Sequence, residues 1–335
     1  MKTKAVWIID EGSQGHVVQS RGLIRELSKV VDLNATEIRG ALKVRIGLLK
    51  SLVKRLLRRW PKSWIYRPFH HLTNLPAETP DLIVASGPRA LTTLAYLGKT
   101  YGCPSVFVQA SLEVPRGMVD YIVKPDEGRE REDYIFIPLL FSEITPGLME
   151  AKRAQGKQSE SLHALFVGAS SAKIKFEPTD WEHLVSLVNR GWRERGMRWL
   201  ITTSYRTPRA VEKLLREGIL PDAIEDAVWH SIAPRRVTQE YLARARSVFV
   251  TMDSMTMVSE AIASGSPVIV LASSSQNTRP SNTNVHYVQN LEQHDFISIV
   301  PLTESADFPE SRGCPRPVDY APAMRELAGK LGWLS

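Results

Sequence analysis

Cysteine is almost absent from this chain of 335 residues, whose two cysteines are Cys103 and Cys314. Two cysteines so far apart form neither a disulfide framework nor the paired spacing of a zinc ribbon, so both kinds of stapled fold are excluded. The low count suits a reducing compartment, and we expect a cytoplasmic protein.

Membrane-spanning and export signals are missing too. No run of about 18 apolar residues free of charge occurs, which predicts that no segment crosses a bilayer. The chain begins with Lys2 and Lys4, and five apolar residues follow before Asp10, too few for the core of a signal peptide.

Several signatures of other protein classes are absent as well. The eight histidines form no His-x-x-x-His pair, so we expect no protein-bound metal and no metal cofactor. No Gly-x-Ser-x-Gly turn occurs, which excludes an α/β-hydrolase. No stacking or groove-reading motif accompanies the basic residues, so we expect no nucleic-acid partner.

Charge is distributed unevenly along the chain. The formal net charge is +7, yet residues 39–67 alone hold ten Lys and Arg and no Asp or Glu. Leucine and valine alternate with these cations, and Trp60 and Trp64 follow, which is typical of an interfacial membrane helix. The segment 39–67 therefore predicts peripheral binding to the anionic inner face of the membrane. The alternative is a solvated helix that packs its leucines on the N-terminal domain.

Short apolar runs alternate with helical patterns along most of the chain. A first series predicts strands at 4–10, 81–87, 104–109, 121–124 and 134–137, with helices at 17–30 and 88–101. A second series predicts strands at 164–168, 199–203, 228–232, 247–251 and 267–271, with helices between them. Two successive series predict an α/β protein with two Rossmann-like, doubly wound domains facing a cleft.

Composition places the domain boundaries. The segment 147–161 is polar, which predicts a flexible linker there. We therefore expect an N-terminal acceptor and catalytic domain at 1–150, a donor domain at 161–310, and a C-terminal helix at 311–335 that packs back on the first domain.

Ligands of open α/β sheets bind at the carboxyl ends of the strands, and the segment after 247–251 carries suitable residues. Asp253 and Ser254 can cap a helix whose first amides, from Met255 on, suit a phosphate. Glu260 lies about two turns further on, where a carboxylate can accept hydrogen bonds from ribose hydroxyls. The alternative is an ordinary capped helix.

A second candidate segment follows the predicted strand at 199–203. Ser204 and Arg206 precede Thr207, an N-cap residue followed by a proline. An arginine beside a helix start predicts a diphosphate site. The alternative is plain capping with a solvated arginine.

The third segment is the glycine-punctuated turn after the first strand, which contains Glu11, Gly12, Gly15 and His16. Its glycines let the backbone approach a bound group, and His16 and Glu11 are candidate general bases. The glycine spacing differs from the dinucleotide fingerprint, and the turn has no P-loop lysine. The alternative is that His16 only hydrogen-bonds the turn.

These segments resemble one family. Residues 204–208 read Ser-Tyr-Arg-Thr-Pro, residues 81–87 end in Ser-Gly, and residues 250–268 read Val-Thr-Met-Asp-Ser-Met-Thr-Met-Val-Ser-Glu-Ala and then Gly-Ser-Pro-Val at 265–268. Together they resemble the mitochondrial-fission ("elongated mitochondria") family, whose bacterial members are described as core-oligosaccharide glycosyltransferases. The likeness extends from Trp7 to about Leu271. Residues 253–267 also resemble the donor-binding segment of GT-B glycosyltransferases, including the murein N-acetylglucosaminyltransferase.

The resemblance implies roles for particular residues. The chain carries Glu11 where the family pattern has an aspartate, and Tyr205 where a basic residue is common. The predicted catalytic residues are His16 and Glu11, and the predicted acceptor-side residues are Gly12, Gly15, Gln19, Ser86 and Gly87. The predicted donor-binding residues are Gly168, Ser204, Arg206, Thr207, Asp253, Ser254, Met255, Ser259 and Glu260.

The sequence thus predicts a GT-B-like glycosyltransferase that moves a sugar from a nucleoside diphosphate sugar to a glycan or lipid-linked acceptor. Cell-envelope polysaccharide or lipopolysaccharide core is the expected context. Arg206, Ser204 and the helix start at Ser254 are expected to stabilise the leaving diphosphate without a metal, while His16 or Glu11 takes the acceptor proton. A positioned base implies inversion, and retention stays open as the alternative. Two alternatives stay open: a nucleotide-sugar epimerase on the same scaffold, and a membrane-associated adaptor without turnover, since the family's plant relative recruits fission machinery.

Overall fold

A computed structural model describes residues 3–42, 70–109, 114–125, 131–156, 159–171, 174–275, 283–308 and 317–334. The chain divides into two compact units, the first comprising Met1–Glu143 with Val318–Ser335 and the second Ile144–Pro317. Of the basic segment 39–67, residues 39–42 are described and end a strand. The predicted amphipathic helix lies outside the described residues.

The first unit contains a seven-stranded sheet in the order β3-β2-β1-β4-β5-β6-β7. Neighbouring strands pair in parallel, except β2 and β3, which are antiparallel. The strands are β1 (Lys4–Asp10), β2 (Leu33–Leu42), β3 (His70–Thr73), β4 (Leu82–Ser86), β5 (Ser105–Val108), β6 (Tyr121–Lys124) and β7 (Tyr134–Phe136). The helices are α1 (Gln14–Leu27), α2 (Leu91–Tyr101) and the last helix of the chain, α9 (Ala321–Lys330).

The second unit contains a six-stranded sheet in the order β10-β9-β8-β11-β12-β13, with all neighbours parallel. The strands are β8 (Leu162–Val167), β9 (Arg198–Thr203), β10 (Ile224–Val228), β11 (Ser247–Thr251), β12 (Val268–Ala272) and β13 (Ser298–Pro301). The helices are α3 (Pro146–Gln155), α4 (Pro178–Arg195), α5 (Arg209–Gly218), α6 (Thr238–Arg244), α7 (Met255–Ala263) and α8 (Thr283–Gln293).

Burial explains why the short apolar runs form strands. Every residue of β4, β5, β8, β11 and β12 is buried, as expected when helices cover both faces of a parallel sheet. In β1, Trp7 and Ile9 belong to the core that includes α2, whereas Val6 and Ile8 belong to the core that includes α1 and α9. Alternate side chains of one strand therefore fill the cores on opposite faces of the sheet.

Both sheets have the doubly wound order, which confirms the predicted pair of Rossmann-like units. In such a sheet the order reverses at a switch point, and the loops at the carboxyl ends of the two strands there can hold a ligand. The switch point lies between β1 and β4 in the first unit and between β8 and β11 in the second. None of the helices that the structure describes is long and apolar enough to cross a membrane.

The predicted strand at 228–232 is wrong in position, because β10 ends at Val228 and Ile232 is 57% exposed. The strand at 224–228 was not predicted because its charged side chains interrupt the apolar pattern. Its Glu225 is paired with Arg198, and its Asp226 with Arg235. Since β10 is an edge strand, it tolerates these outward charges.

The predicted linker at 147–161 is also wrong in large part, because α3 occupies it and belongs to the second unit. Thr145 caps this helix by accepting a hydrogen bond from the Leu148 N–H at 3.2 Å. Met149 is the buried residue of α3, so the segment carries no apolar stripe that predicts a helix. The C-terminal helix α9 lies in the first unit, where Met324 and Leu327 are buried with α1.

Candidate functional site

In the first unit, the loops after β1 and β4 meet at the switch point through Glu11. Its Oε2 accepts hydrogen bonds from the backbone N–H of Arg89 at 2.8 Å and of Ala90 at 2.7 Å. These two amides lie in the turn that leads into α2, where a helix offers donors to an anion. The Glu11 side chain is 3% exposed, so it is fixed by protein and has little access to a ligand.

The other Glu11 oxygen binds His16. Glu11 Oε1 lies 2.5 Å from Nδ1 of His16, and the His16 side chain is 40% exposed. Because a carboxylate only accepts hydrogen bonds, Nδ1 carries a proton, and in the neutral ring the lone pair is on Nε2. The structure thus brings the two predicted catalytic residues together: the buried Glu11 holds the His16 ring, and His16 is the more exposed of the two.

Glycine is required at position 87 by this pair. Gly87 has φ +94°, and a Cβ there would overlap Glu11 Oε1 and His16 Nδ1. Among the other predicted acceptor-side residues, Gly12 and Gly15 are exposed beside the pair, and Ser86 is buried at the end of β4. Gly12 has φ +90° and donates its N–H to Asp10.

Gln19 does not fit its predicted acceptor-side role. The residue is 6% exposed, and its Nε2 donates to the carbonyl of Phe141 at 2.5 Å. It faces the loop after β7 rather than solvent, so it is a packing residue of α1.

In the second unit, Asp253 lies at the centre of the switch point. Its Oδ2 accepts from Arg206 Nη2 at 2.8 Å and from the Ala169 N–H at 3.1 Å, and its Oδ1 accepts from the Thr251 hydroxyl at 2.7 Å. Burial raises the pKa of this carboxyl, while the bonds from Thr251 and Ala169 and the charge of Arg206 oppose that rise. One carboxylate therefore ties the loops after β8, β9 and β11 together.

Two further predicted donor-binding residues, Gly168 and Thr207, support this arrangement. A Cβ on Gly168 would overlap the Asp253 carboxylate, and the Gly168 N–H donates to Thr251 Oγ1 at 2.8 Å. Thr207 is buried, and its hydroxyl lies 2.8 Å from the Gly168 carbonyl. Ser204 accepts from the Arg206 N–H at 3.2 Å and so braces the arginine turn.

The start of α7 remains accessible to a ligand. Ser254 is its N-cap and accepts from the Met257 N–H at 3.4 Å. Ser254, Met255 and Glu260 are all half-buried, and Arg206 reaches this end of α7 through Asp253. Helix-start amides beside an arginine suit an anionic group, and a carboxylate two turns along suits hydroxyls.

Ser259 does not fit its predicted donor-binding role. It is fully buried, and its hydroxyl lies 2.7 Å from both the Met255 carbonyl and the Tyr287 hydroxyl. Ser259 therefore fastens α7 to α8.

Sequence reasoning missed two buried carboxylates at the same sheet edge. Glu212 accepts from Thr203 and Ser231; burial acts to raise its pKa, but these hydrogen bonds outweigh it and lower the pKa. Asp180 likewise accepts from Ser273 and Ser274, which lowers its pKa against the effect of burial. An acid in the first turn of a helix that begins with proline, as at Asp180, is a signal that could have been noticed.

A group of three or more His, Cys, Asp or Glu that could hold a metal ion is not found among the described residues. The residues gathered at the second sheet can bind an anion, and those at the first sheet can accept a proton.

A comparison with protein-family models identifies the family of this chain. The family model described as "Mitochondrial fission ELM1" matches residues 14–316. No curated protein matches the sequence.

Three solved structures have a similar fold. The UDP-GlcNAc 2-epimerase of Methanocaldococcus jannaschii is 11% identical, with 99% of this chain and 100% of that chain covered and a TM-score of 0.58. Its complex with UDP-GlcNAc and UDP has the same identity and coverage and a TM-score of 0.50. A Listeria monocytogenes protein assigned to the UDP-N-acetylglucosamine 2-epimerases is 15% identical over 99% and 97% of the chains, with a TM-score of 0.52. At these identities the likeness concerns the fold, and it confirms the GT-B-like architecture predicted from the sequence.

Proposed function

This chain belongs to the mitochondrial fission ELM1 family, and from that premise we propose that it is an enzyme that transfers a sugar from a nucleoside diphosphate sugar. The acceptor is the hydroxyl of a glycan or lipid-linked saccharide, in the synthesis of cell-envelope polysaccharide or lipopolysaccharide core. The observation that carries the proposal is at the carboxyl edge of the second sheet. There Arg206 reaches the start of α7, and Glu260 lies two turns along that helix.

The donor binds to the second unit. The first-turn amides of α7 and the Arg206 guanidinium hold the diphosphate, since aligned N–H groups and a planar fork of donors both match phosphate oxygens. Glu260 accepts hydrogen bonds from the ribose hydroxyls. The fold neighbour from Methanocaldococcus jannaschii was crystallised with UDP-GlcNAc and UDP, which supports a uridine nucleotide as the first donor to test.

The acceptor binds to the first unit, where His16 is the general base. Its Nε2 takes the proton of the acceptor hydroxyl while that oxygen bonds to the anomeric carbon of the sugar. The bond from this carbon to the diphosphate oxygen breaks, and its electron pair leaves with the nucleoside diphosphate. Arg206 and the α7 amides stabilise the charge that develops there. Attack on the face opposite the leaving group inverts the anomeric centre.

A membrane surface is the place where a lipid-linked acceptor is found. The cationic segment 39–67 belongs to the acceptor half of the chain, and its composition suits an anionic leaflet. We therefore place the protein in the cytoplasm, peripherally bound to the inner face of the membrane.

A donor screen tests the proposal. Purified protein is incubated with UDP-, GDP-, ADP- and CMP-linked sugars, with and without a glycan or lipid-linked acceptor, and the released nucleotide is measured. Release of a nucleoside diphosphate that requires the acceptor and is lost in Arg206→Gln supports sugar transfer. Nucleotide release, or consumption of the nucleotide sugar, that does not depend on any acceptor would favour a nucleotide-sugar epimerase. This is the activity named for the fold neighbour from Methanocaldococcus jannaschii. No release from any donor, together with no nucleotide binding in calorimetric titration, would favour the adaptor function.

A further inference from the structure

We propose that Asp253 is a positioning residue that holds the Arg206 guanidinium at the start of α7 and does not itself contact the ligand. The inference rests on the proposed function in one respect, since that function assigns Arg206 to the diphosphate. It replaces the direct donor contact predicted for Asp253 from the sequence.

Burial separates the roles of the two side chains. The Asp253 side chain is 0% exposed, whereas that of Arg206 is 32% exposed. An incoming diphosphate therefore reaches the guanidinium and cannot reach the carboxylate. Apart from the field of its charge, Asp253 can influence ligand binding only through a neighbour, and Arg206 is the charged side chain that it binds.

The Asp253 carboxylate is itself held rigidly. The Thr251 hydroxyl fixes Oδ1, and the Ala169 N–H fixes Oδ2, to which Arg206 also donates. A guanidinium is planar, so anchoring one terminal nitrogen orients its remaining N–H groups. The geometry points to an arginine whose direction is set before the ligand arrives.

Gly168 provides a second way to disturb this anchor. A Cβ at position 168 would overlap the Asp253 carboxylate, and no positive φ opposes alanine there. We therefore expect Gly168→Ala to displace the carboxylate that binds Arg206 without removing a side chain that can bind a ligand. The variant should reproduce the defect of Asp253→Ala.

The affinity of Asp253→Asn for UDP distinguishes two roles of Asp253: setting the net charge of the anion site, and positioning Arg206. Asparagine keeps an oxygen for Arg206 but removes the negative charge beside the anion site. If the net positive charge of the site decides the affinity, the variant binds UDP more tightly than wild type, because the negative charge that repels the diphosphate is gone. If positioning dominates, as we propose, its affinity for UDP stays within about threefold of wild type, while Asp253→Ala and Gly168→Ala each lose about ten- to hundredfold, the range of a charge-assisted hydrogen bond.

The decisive experiment is a double-mutant cycle read by calorimetric titration of UDP, with GDP as a second probe. Arg206→Gln should weaken binding about as much as Asp253→Ala, and the double variant should lose little more, because Asp253 acts through Arg206. Additive losses, or tighter binding by Asp253→Asn, would overturn the proposal. The matched control is Asp307→Asn, which removes an exposed carboxylate–arginine pair with Arg195 and should leave UDP affinity unchanged.

A second readout needs no nucleotide. The rate at which phenylglyoxal modifies Arg206 is followed by mass spectrometry, with exposed Arg209 as the internal reference. Asp253→Ala and Gly168→Ala should raise the Arg206 rate several-fold; unchanged rates would overturn the inference. If wild type binds none of UDP, GDP and ADP, the proposed function fails, and the modification rates still decide whether Asp253 holds Arg206.

Discussion

Replacing Glu11 by glutamine or by alanine separates the orientation of His16 from the stability of the first unit. In the protein, Oε2 of Glu11 accepts from two backbone amides, and Oε1 binds His16 Nδ1. In Glu11→Gln, the amide oxygen can take the place of Oε2 and keep both backbone bonds. Its NH₂ group then faces His16, so Nδ1 must accept and the proton moves to Nε2.

The expected magnitudes follow from these bonds. Glu11→Ala removes the acceptor of the Arg89 N–H, leaves the Ala90 N–H with the Gly87 carbonyl at 3.2 Å, and removes the charged bond to His16. An unmade buried bond costs roughly 1–3 kcal/mol, so the free energy of unfolding should fall by about 2–4 kcal/mol. Glu11→Gln should cost less than about 1 kcal/mol. Its turnover should nevertheless fall by about 10²–10⁴, the contribution of a general base, because Nε2 has lost its lone pair.

Chemical denaturation gives the stabilities, and acceptor-dependent release of nucleoside diphosphate gives the rates. His16→Ala is the matched control and should lose as much turnover as Glu11→Gln. A Glu11→Gln protein with wild-type turnover would refute the assignment of His16 as the base oriented by Glu11. An Ala variant as stable as the Gln variant would refute the structural part of the reasoning.

Three further predictions concern other parts of the chain. Glu260→Ala should weaken nucleotide affinity about tenfold, as expected for a lost hydrogen bond of about 1.4 kcal/mol, without changing the melting temperature; unchanged affinity in titration calorimetry would remove Glu260 from the site. Burial lowers the pKa of His163 to about 4. The unfolded chain binds this proton near pH 6.5, so the free energy of unfolding should fall by up to about 3 kcal/mol between pH 6.5 and 4, and His163→Gln should flatten that slope in pH-dependent denaturation. Neutralising Arg55, Arg58 and Arg59 should reduce sedimentation with anionic vesicles, most at low salt; equal sedimentation would contradict the membrane prediction.

Much of the fold could be predicted because buried parallel strands are short, apolar and bounded by glycine, proline or acids. β1, β6 and β11 lie where the apolar runs at 4–10, 121–124 and 247–251 placed them. Elements with polar sequences could not be found in this way. β10 lies at a sheet edge and carries charged side chains that form ion pairs. In α3, Met149 is the buried residue, so the helix has no apolar stripe.

The sequence indicated which residues gather at the strand ends, but not which contacts each side chain makes there. Strand ends and glycine turns indicated Glu11, Arg206 and Asp253, since the switch point of a doubly wound sheet gathers such loops. Sequence spacing could not tell that Asp253 points inward beneath Arg206, or that Gln19 turns to the Phe141 carbonyl. Those directions depend on contacts between segments far apart in the chain.

We propose above that Arg206, the start of α7 and Glu260 together bind a nucleoside diphosphate. Titration calorimetry of UDP, GDP and ADP into wild type, Arg206→Gln and Glu260→Ala tests it most directly. We predict saturable binding of at least one of these nucleotides to wild type and weaker binding to both variants. Absence of binding to all three, or equal affinity in wild type and both variants, would contradict the claim.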